Sequence, residues 1–282
     1  MDIDNPIDFI KSLKSEHRAI IATVHDIDNQ TGGPGNLENS VEKLKRITDL
    51  LFAHLEKEDK SLYPVLMNSK ETCQLAKKYS YDMERLSCIA IDFFKRYCIN
   101  REELKIFIED FINGYSLFKG LLNVRIKREE TELYPAFILL ESGVMHSDVI
   151  EYVQEREKAE SKNEKSILIF GQSEPYLKAL ELALEISGFK VFSTNSINHI
   201  SDATQTKAPD LIILDITKPD KELNSLVINL KNQIKTPAQI IGYSTGGIPA
   251  IEENFEKNLD LVIPQAAINM ETFSEKIKKI LS

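Results

Sequence analysis

Phe52-Ala53-His54-Leu55-Glu56-Lys57-Glu58-Asp59-Lys60-Ser61-Leu62-Tyr63-Pro64 is the stretch from which the rest of the chain can be placed. A second stretch, Asn123-Val124-Arg125-Ile126-Lys127-Arg128-Glu129-Glu130-Thr131-Glu132-Leu133-Tyr134-Pro135, repeats its outline. Each copy carries a glutamate, Glu58 or Glu129, followed by Leu-Tyr-Pro. Four residues before that glutamate the first copy has His54 and the second has Arg125. A histidine and a glutamate at i and i+4 share one face of a helix, so a single metal ion can touch both. An arginine in that place stays protonated and cannot ligate.

Apolar residues on both sides of the first stretch recur at helical spacing. Ile10, Leu13, His17, Ile20, Val24 and Ile27 step by three and four, which predicts a first amphipathic helix with His17 inside its apolar stripe. His25 falls on its flank. Gly32-Gly33-Pro34-Gly35 breaks the chain. A second helix has Leu44, Ile47, Leu51, His54 and Glu58 on its inward line, and Pro64 is expected to bend or end it. A third turns Leu75, Tyr79, Met83, Leu86, Ala90 and Phe93 inward. A fourth carries Phe107, Phe111, Phe118, Leu122, Arg125 and Glu129, stopping near Pro135 or Gly143. Four such helices with short connections predict an antiparallel four-helix bundle over residues 8–146.

Residues 147–165 begin with Val149 and Val153 and then become almost wholly charged, which predicts a helical connector. After Ser166 the period changes. Ile167–Phe170, Lys190–Phe192, Leu211–Leu214, Gln239–Tyr243 and Leu261–Ile263 are short apolar runs separated by helical segments. That alternation predicts a second domain over 166–282, an α/β fold with a doubly wound, five-stranded parallel sheet covered on both faces. Functional residues should then stand at the carboxyl ends of the strands.

The 282 residues are enough for about two domains, in line with this division. The net charge of −9 argues against nucleic acid or an anionic membrane as partner. No apolar run approaches the roughly 20 residues that span a bilayer, and the acidic N-terminus has no signal-peptide layout. Cys73, Cys88 and Cys98 are odd in number and lack C-x-x-C spacing, so they are expected to be reduced thiols of a cytoplasmic protein, two or three of them in the core.

The Glu16-His17 pair, the His54-x-x-x-Glu58 helix and the Glu129 helix with its Leu-Tyr-Pro ending resemble the hemerythrin and HHE cation-binding family. That resemblance implies a bundle holding two irons on five histidines and two bridging carboxylates, for dioxygen binding or for iron and redox sensing. His17 and His54 match one iron's histidines, and Glu58 and Glu129 match the bridges. The other iron's set is missing: Tyr79 and Met83 stand at the third-helix ligand positions, and Arg125 at that of the fourth. The expected metal residues are therefore His17, His54, Glu58 and Glu129, with Arg125 replacing a metal. One mononuclear iron and a metal-free relic held by Arg125 both stay open. Reversible dioxygen carriage is not expected.

Residues 166–282 resemble a response-regulator receiver domain with a flavodoxin-like fold. Pro209-Asp210-Leu211-Ile212-Ile213-Leu214-Asp215 carries the likeness, with Asp215 at the phosphoacceptor position and Ser244 at the Ser/Thr position of the fourth strand. The family's Mg2+-binding acids are reduced to Glu174, and its lysine becomes Gln265. Phosphoryl transfer to a carboxylate needs both the ion and the cation. A pseudo-receiver that uses no Mg2+ is therefore expected.

Together these readings predict a signalling or regulatory protein without enzymatic activity, in which an iron-, oxygen- or redox-responsive bundle acts through the connector on a protein-contact module. No output domain follows Ser282, so output is expected through protein partners, with a homodimer left open. The alternatives are a non-haem iron enzyme of oxygen, peroxide or nitric-oxide chemistry, and a metal-free scaffold.

Overall fold

The computed structural model describes residues 5–30, 36–98, 108–143, 146–161, 165–233, 238–244, 253–264 and 270–281. The Gly32–Gly35 breaker, Phe107 and Gln265 lie outside the described residues. The chain divides into two compact units, Met1–Lys162 and Asn163–Ser282.

The helical unit begins with α1, Pro6–Asp28. Asn5 caps it by accepting hydrogen bonds from the Ile7 and Asp8 N–H groups, and Pro6 stands where a missing N–H costs nothing. Its stripe Ile10, Leu13, His17, Ile20, Val24 and Ile27 is buried throughout. Helix α2, Leu37–Lys57, runs into a π-helical turn, Glu58–Leu62, and continues as α3, Tyr63–Asn68. Helix α4 is Cys73–Cys98. Helix α5, Ile108–Arg128, runs through a second π turn, Glu129–Leu133, into α6, Tyr134–Glu141. Helix α1 packs against α2, α5 and α6, and α4 against α2, α3 and α5.

Pro64 and Pro135 therefore do not end their helices. Each opens a short helix just after a π turn. Proline inside a regular helix clashes with the carbonyl one turn back, and an extra residue in that turn relieves the clash. The turn is closed by the Tyr63 N–H on the Glu58 carbonyl, and by the Tyr134 N–H on the Glu129 carbonyl. Side chains five residues apart on a regular α-helix diverge by about 140°. The wider turn swings each tyrosine back toward the face of its glutamate, and Tyr63 and Tyr134 are both buried.

Helix α7, His146–Ser161, packs on α6. Its Val149 and Val153 are buried, and the Tyr152 hydroxyl donates to the carbonyls of Thr131 and Glu132 in the second π turn. The apolar start of the connector is thus fastened to the end of the bundle. Against expectation, Cys88 is exposed and Cys73 only half-buried. Cys88 falls on the outer side of α4, between inward Leu86 and Ala90.

The second unit runs β1 (Ser166–Phe170), α8 (Glu174–Ile186), β2 (Lys190–Thr194), α9 (Ile197–Lys207), β3 (Leu211–Asp215), α10 (Lys221–Gln233), β4 (Gln239–Ser244), α11 (Glu253–Glu256), β5 (Leu261–Pro264) and α12 (Met270–Leu281). The strands pair in parallel in the order β2-β1-β3-β4-β5. That is the flavodoxin-like order, whose crevice opens at the carboxyl ends of β1 and β3. Every residue of β3 is buried, while edge strand β2 is half-exposed, as a doubly covered sheet requires. Gly188 takes φ +95 just after the end of α8, a conformation that favours glycine there.

Candidate metal centre

Two apolar clusters fill the bundle, one including Ile20, Leu51, Leu122 and Ile126, the other Leu13, Leu62, Tyr79 and Tyr134. On α1, His17 falls between Leu13 of one cluster and Ile20 of the other; on α2, His54 follows Leu51 and precedes Glu58. The helical period that buries the apolar residues thus buries a polar layer between them. His17, His54, Glu58, Arg125 and Glu129 are all at most 2% exposed.

The two imidazoles meet edge to edge, with Nε2 of His17 3.0 Å from Nε2 of His54. Each turns its other nitrogen to a carboxylate: His17 Nδ1 is 2.9 Å from Glu130 Oε1, and His54 Nδ1 is 3.0 Å from Glu16 Oε2. Glu16 is also paired with Lys57. A carboxylate on Nδ1 fixes the tautomer that leaves Nε2 with a lone pair, the arrangement of metal-ligating histidines. Glu129 Oε2 approaches His17 Nε2 at 3.2 Å, and the ligand atoms of His17, His54 and Glu129 lie within 4.8 Å of one another, a group that could hold a metal ion.

Glu58 stands beside this group. Its Oε1 is 3.6 Å from His54 Nε2 and accepts a 2.9 Å hydrogen bond from the Tyr134 hydroxyl, while its Oε2 has no partner among the described residues.

Arg125 is buried beside the histidines. Its Nε donates to Glu129 Oε1 at 2.7 Å and its Nη2 to the Tyr63 hydroxyl at 2.7 Å. Its guanidinium lies over the Tyr79 ring, 4.5 Å from the centroid. Glu129 therefore bridges, with one oxygen on the guanidinium and the other on the histidines. The Tyr79 hydroxyl is turned away, donating to Glu132 Oε2 at 2.7 Å, and Met83 lines a small pocket beside the histidines together with Ile20, Leu51, Leu86 and Leu122. The two lost-ligand positions are filled by a ring that stacks on a cation and by an apolar side chain.

The charges respond in opposite directions. Burial alone would raise the Glu129 carboxyl, but Arg125 and then the histidines outweigh it and hold it at about 2. Burial, with the charge of Glu129 next, pushes Glu58 well above the usual carboxylate range, against the pull of Arg125. Burial would lower His17, yet Glu129 and Glu130 raise it; burial lowers His54, with the charge of His17 acting in the same direction. Two buried acids face one guanidinium, and Glu58 is the one left without a fixed counter-charge.

Sequence reasoning did not assign Tyr63 or Tyr134 to the centre. The repeated Leu-Tyr-Pro was the available signal for the tyrosines.

In the sheet unit Asp215 ends β3, buried, and its Oδ1 accepts from the Thr217 N–H at 2.9 Å. Ser244 is buried at the end of β4. Glu174 is exposed and paired with Lys178. Among the described residues no group of three metal-ligating side chains includes Asp215. At Gly171, just past β1, an added Cβ would lie 2.9 Å from the Tyr243 hydroxyl, and Tyr243 stacks on Tyr176 with ring centroids 5.6 Å apart.

No curated protein matches the chain. Solved structures match its C-terminal part. A CheY-like response regulator receiver domain from Methylobacillus flagellatus is 18% identical, covers 43% of this chain and 100% of that chain, and has a TM-score of 0.38. A CheY-like receiver domain protein from Methanospirillum hungatei JF-1 is 26% identical over 42% of this chain and 94% of that one, with a TM-score of 0.36. A response regulator from Thermotoga maritima is 17% identical over 42% and 98%, with a TM-score of 0.36. Residues 8–137 match the family model described as Hemerythrin HHE cation binding domain. Residues 8–137 of the helical unit thus match a hemerythrin HHE domain, and they precede a sheet unit of five parallel strands in the order β2-β1-β3-β4-β5.

Proposed function

We propose that this chain is a regulatory protein whose helical unit holds one metal ion on His17, His54 and Glu129, beside Glu58, and whose sheet unit serves as a protein-contact module. The observation that carries this reading is the meeting of two Nε2 atoms at 3.0 Å while both Nδ1 atoms face carboxylates. In the tautomer that a carboxylate on each Nδ1 favours, the two Nε2 lone pairs face and repel each other, and a shared cation would turn that repulsion into attraction. Two imidazoles and a carboxylate suit a first-row divalent ion, and iron fits the family. A bound iron would supply a redox-active Lewis acid.

The chain's own residues do the rest. Glu16 and Glu130 orient the imidazoles, Glu129 links the ion to the guanidinium, and Arg125 takes the place of a second ion. Glu58, whose carboxyl burial and the charge of Glu129 push well above the usual carboxylate range, stands beside the proposed ion. Hemerythrin-like and receiver-like domains are typically signalling modules rather than enzymes, and the connector in α7 is the proposed route between the two units.

Metal analysis of protein purified from iron-replete cells should give one iron per chain, falling to background in His54→Ala. Two irons per chain would refute the substitution of Arg125 for a metal, and none would refute the reading altogether.

For the sheet unit we propose a pseudo-receiver. Residue 171 is a glycine, so it offers Mg2+ no carboxylate, and a Cβ added there would lie 2.9 Å from the Tyr243 hydroxyl. Incubation with acetyl phosphate and Mg2+ should leave Asp215 unmodified by intact-mass measurement. A stable phosphoryl adduct lost in Asp215→Asn would overturn this part.

A further inference from the structure

We infer that Tyr134 is a further ligand in the metal centre, its phenolic oxygen completing the set formed by His17, His54 and Glu129. This rests on the proposal that a metal binds there.

The argument starts from the crowding around one atom. His17 Nε2 has three polar neighbours: His54 Nε2 at 3.0 Å, Glu129 Oε2 at 3.2 Å and the Tyr134 hydroxyl at 3.2 Å. A ring nitrogen carries at most one proton, and one proton cannot serve three partners. Tyr134 does not resolve the conflict from its side, because its own proton is given to Glu58 Oε1 at 2.9 Å. Several lone pairs therefore converge without enough hydrogens between them. A single cation satisfies all of them. Donors held about 2.1 Å from one ion stand roughly 3.0–3.4 Å apart, which is the spacing seen here between His17 and its three neighbours.

The local fold places Tyr134 for this role. The second π turn brings it back toward the face of Glu129, and its ring lies nearly parallel to that of His17, 13° between planes with centroids 5.6 Å apart. The two motif copies divide the work. Tyr63 of the first accepts from the guanidinium that replaces a metal, and Tyr134 of the second faces the histidines that remain.

Coordination needs the phenolic O–H bond to break as the oxygen–metal bond forms. A bound cation would displace the Glu58 proton to solvent, and the phenolic proton would pass along the existing hydrogen bond to the ionised Oε1, so that one proton is released in all. No electron moves in this step. A phenolate with a carboxylate is a hard, anionic pair, which would favour iron supplied as iron(III) over iron(II).

The test uses the full chain reconstituted with iron(III) supplied as its citrate complex. Wild type should show a phenolate-to-iron charge-transfer band in the visible, with resonance-enhanced tyrosine ring modes on excitation into it. Tyr134→Phe should keep one iron per chain and lose at least nine-tenths of the band, while Tyr63→Phe should keep both. An iron-loaded wild type with no such band, or a band that survives in Tyr134→Phe, overturns the assignment and leaves the metal site standing. A wild type that takes up no iron overturns the metal site itself, and this ligand with it.

Discussion

Arg125→Ala should cost the helical unit about 3–5 kcal/mol, because it strips the counter-charge from a buried carboxylate. Arg125 is 1% exposed and gives hydrogen bonds to Glu129 and Tyr63, with Tyr79 against its face. Truncation leaves two acids facing each other across a cavity. Urea denaturation followed by circular dichroism reads the loss as a lower midpoint with an unchanged slope. Arg125→Lys should recover only part of it, since an ammonium cannot reproduce a two-armed contact to Glu129 and Tyr63. Excess divalent metal that stabilises Arg125→Ala by more than it stabilises wild type would show directly that the guanidinium does an ion's work. A loss below about 1 kcal/mol would mean that Glu129 is satisfied without it.

The second large effect is stabilisation by metal. An ion at a hundred times its dissociation constant adds about 2.7 kcal/mol to the unit that binds it. For a domain of this size that raises the melting temperature by roughly 5–10 °C. Scanning calorimetry of the full chain should show one transition moving upward on adding Fe(II) under anaerobic conditions and none moving in His54→Ala. His54 sits at the contact of the two Nε2 atoms, so its loss removes both a donor and the reason for the cation. A scan identical with and without metal would favour the metal-free relic.

Most of the fold could be read in the chain because burial imposes a period. Ile10 to Ile27 and Leu44 to Glu58 keep a spacing of three and four, and all the inward residues named on those lines are buried. Strands such as Leu211–Asp215 read as unbroken apolar runs because both faces of the sheet are covered. His17, His54, Arg125 and Glu129 were legible for the same reason: they are polar residues standing on apolar lines.

What stayed hidden depends on departures from those periods. The π turns at Glu58 and Glu129 leave composition untouched, so Pro64, read as a bend or an end, and Pro135, read with Gly143 as one of two ends, each open a short helix. With a regular helix assumed, Tyr134 could not be aimed at His17. Glu16 and Glu130 look like surface acids in sequence, and only the facing helix shows which ring nitrogen each one holds. Cys88 was misjudged because small sulfur side chains fit either side of a helix wall.

The two helices that carry Leu-Tyr-Pro each hold one residue more than a uniform spiral would need. That surplus acts as a frame for everything beyond it. Removing a single residue such as Thr131 would leave α5 and α6 free to join as one even rod, yet the shortened chain would reach Tyr134 at a different angle. The phenol and its first neighbours would swing away from His17, although every one of them would still be present in the sequence. The same one-residue loss in an ordinary surface loop would pass almost unnoticed.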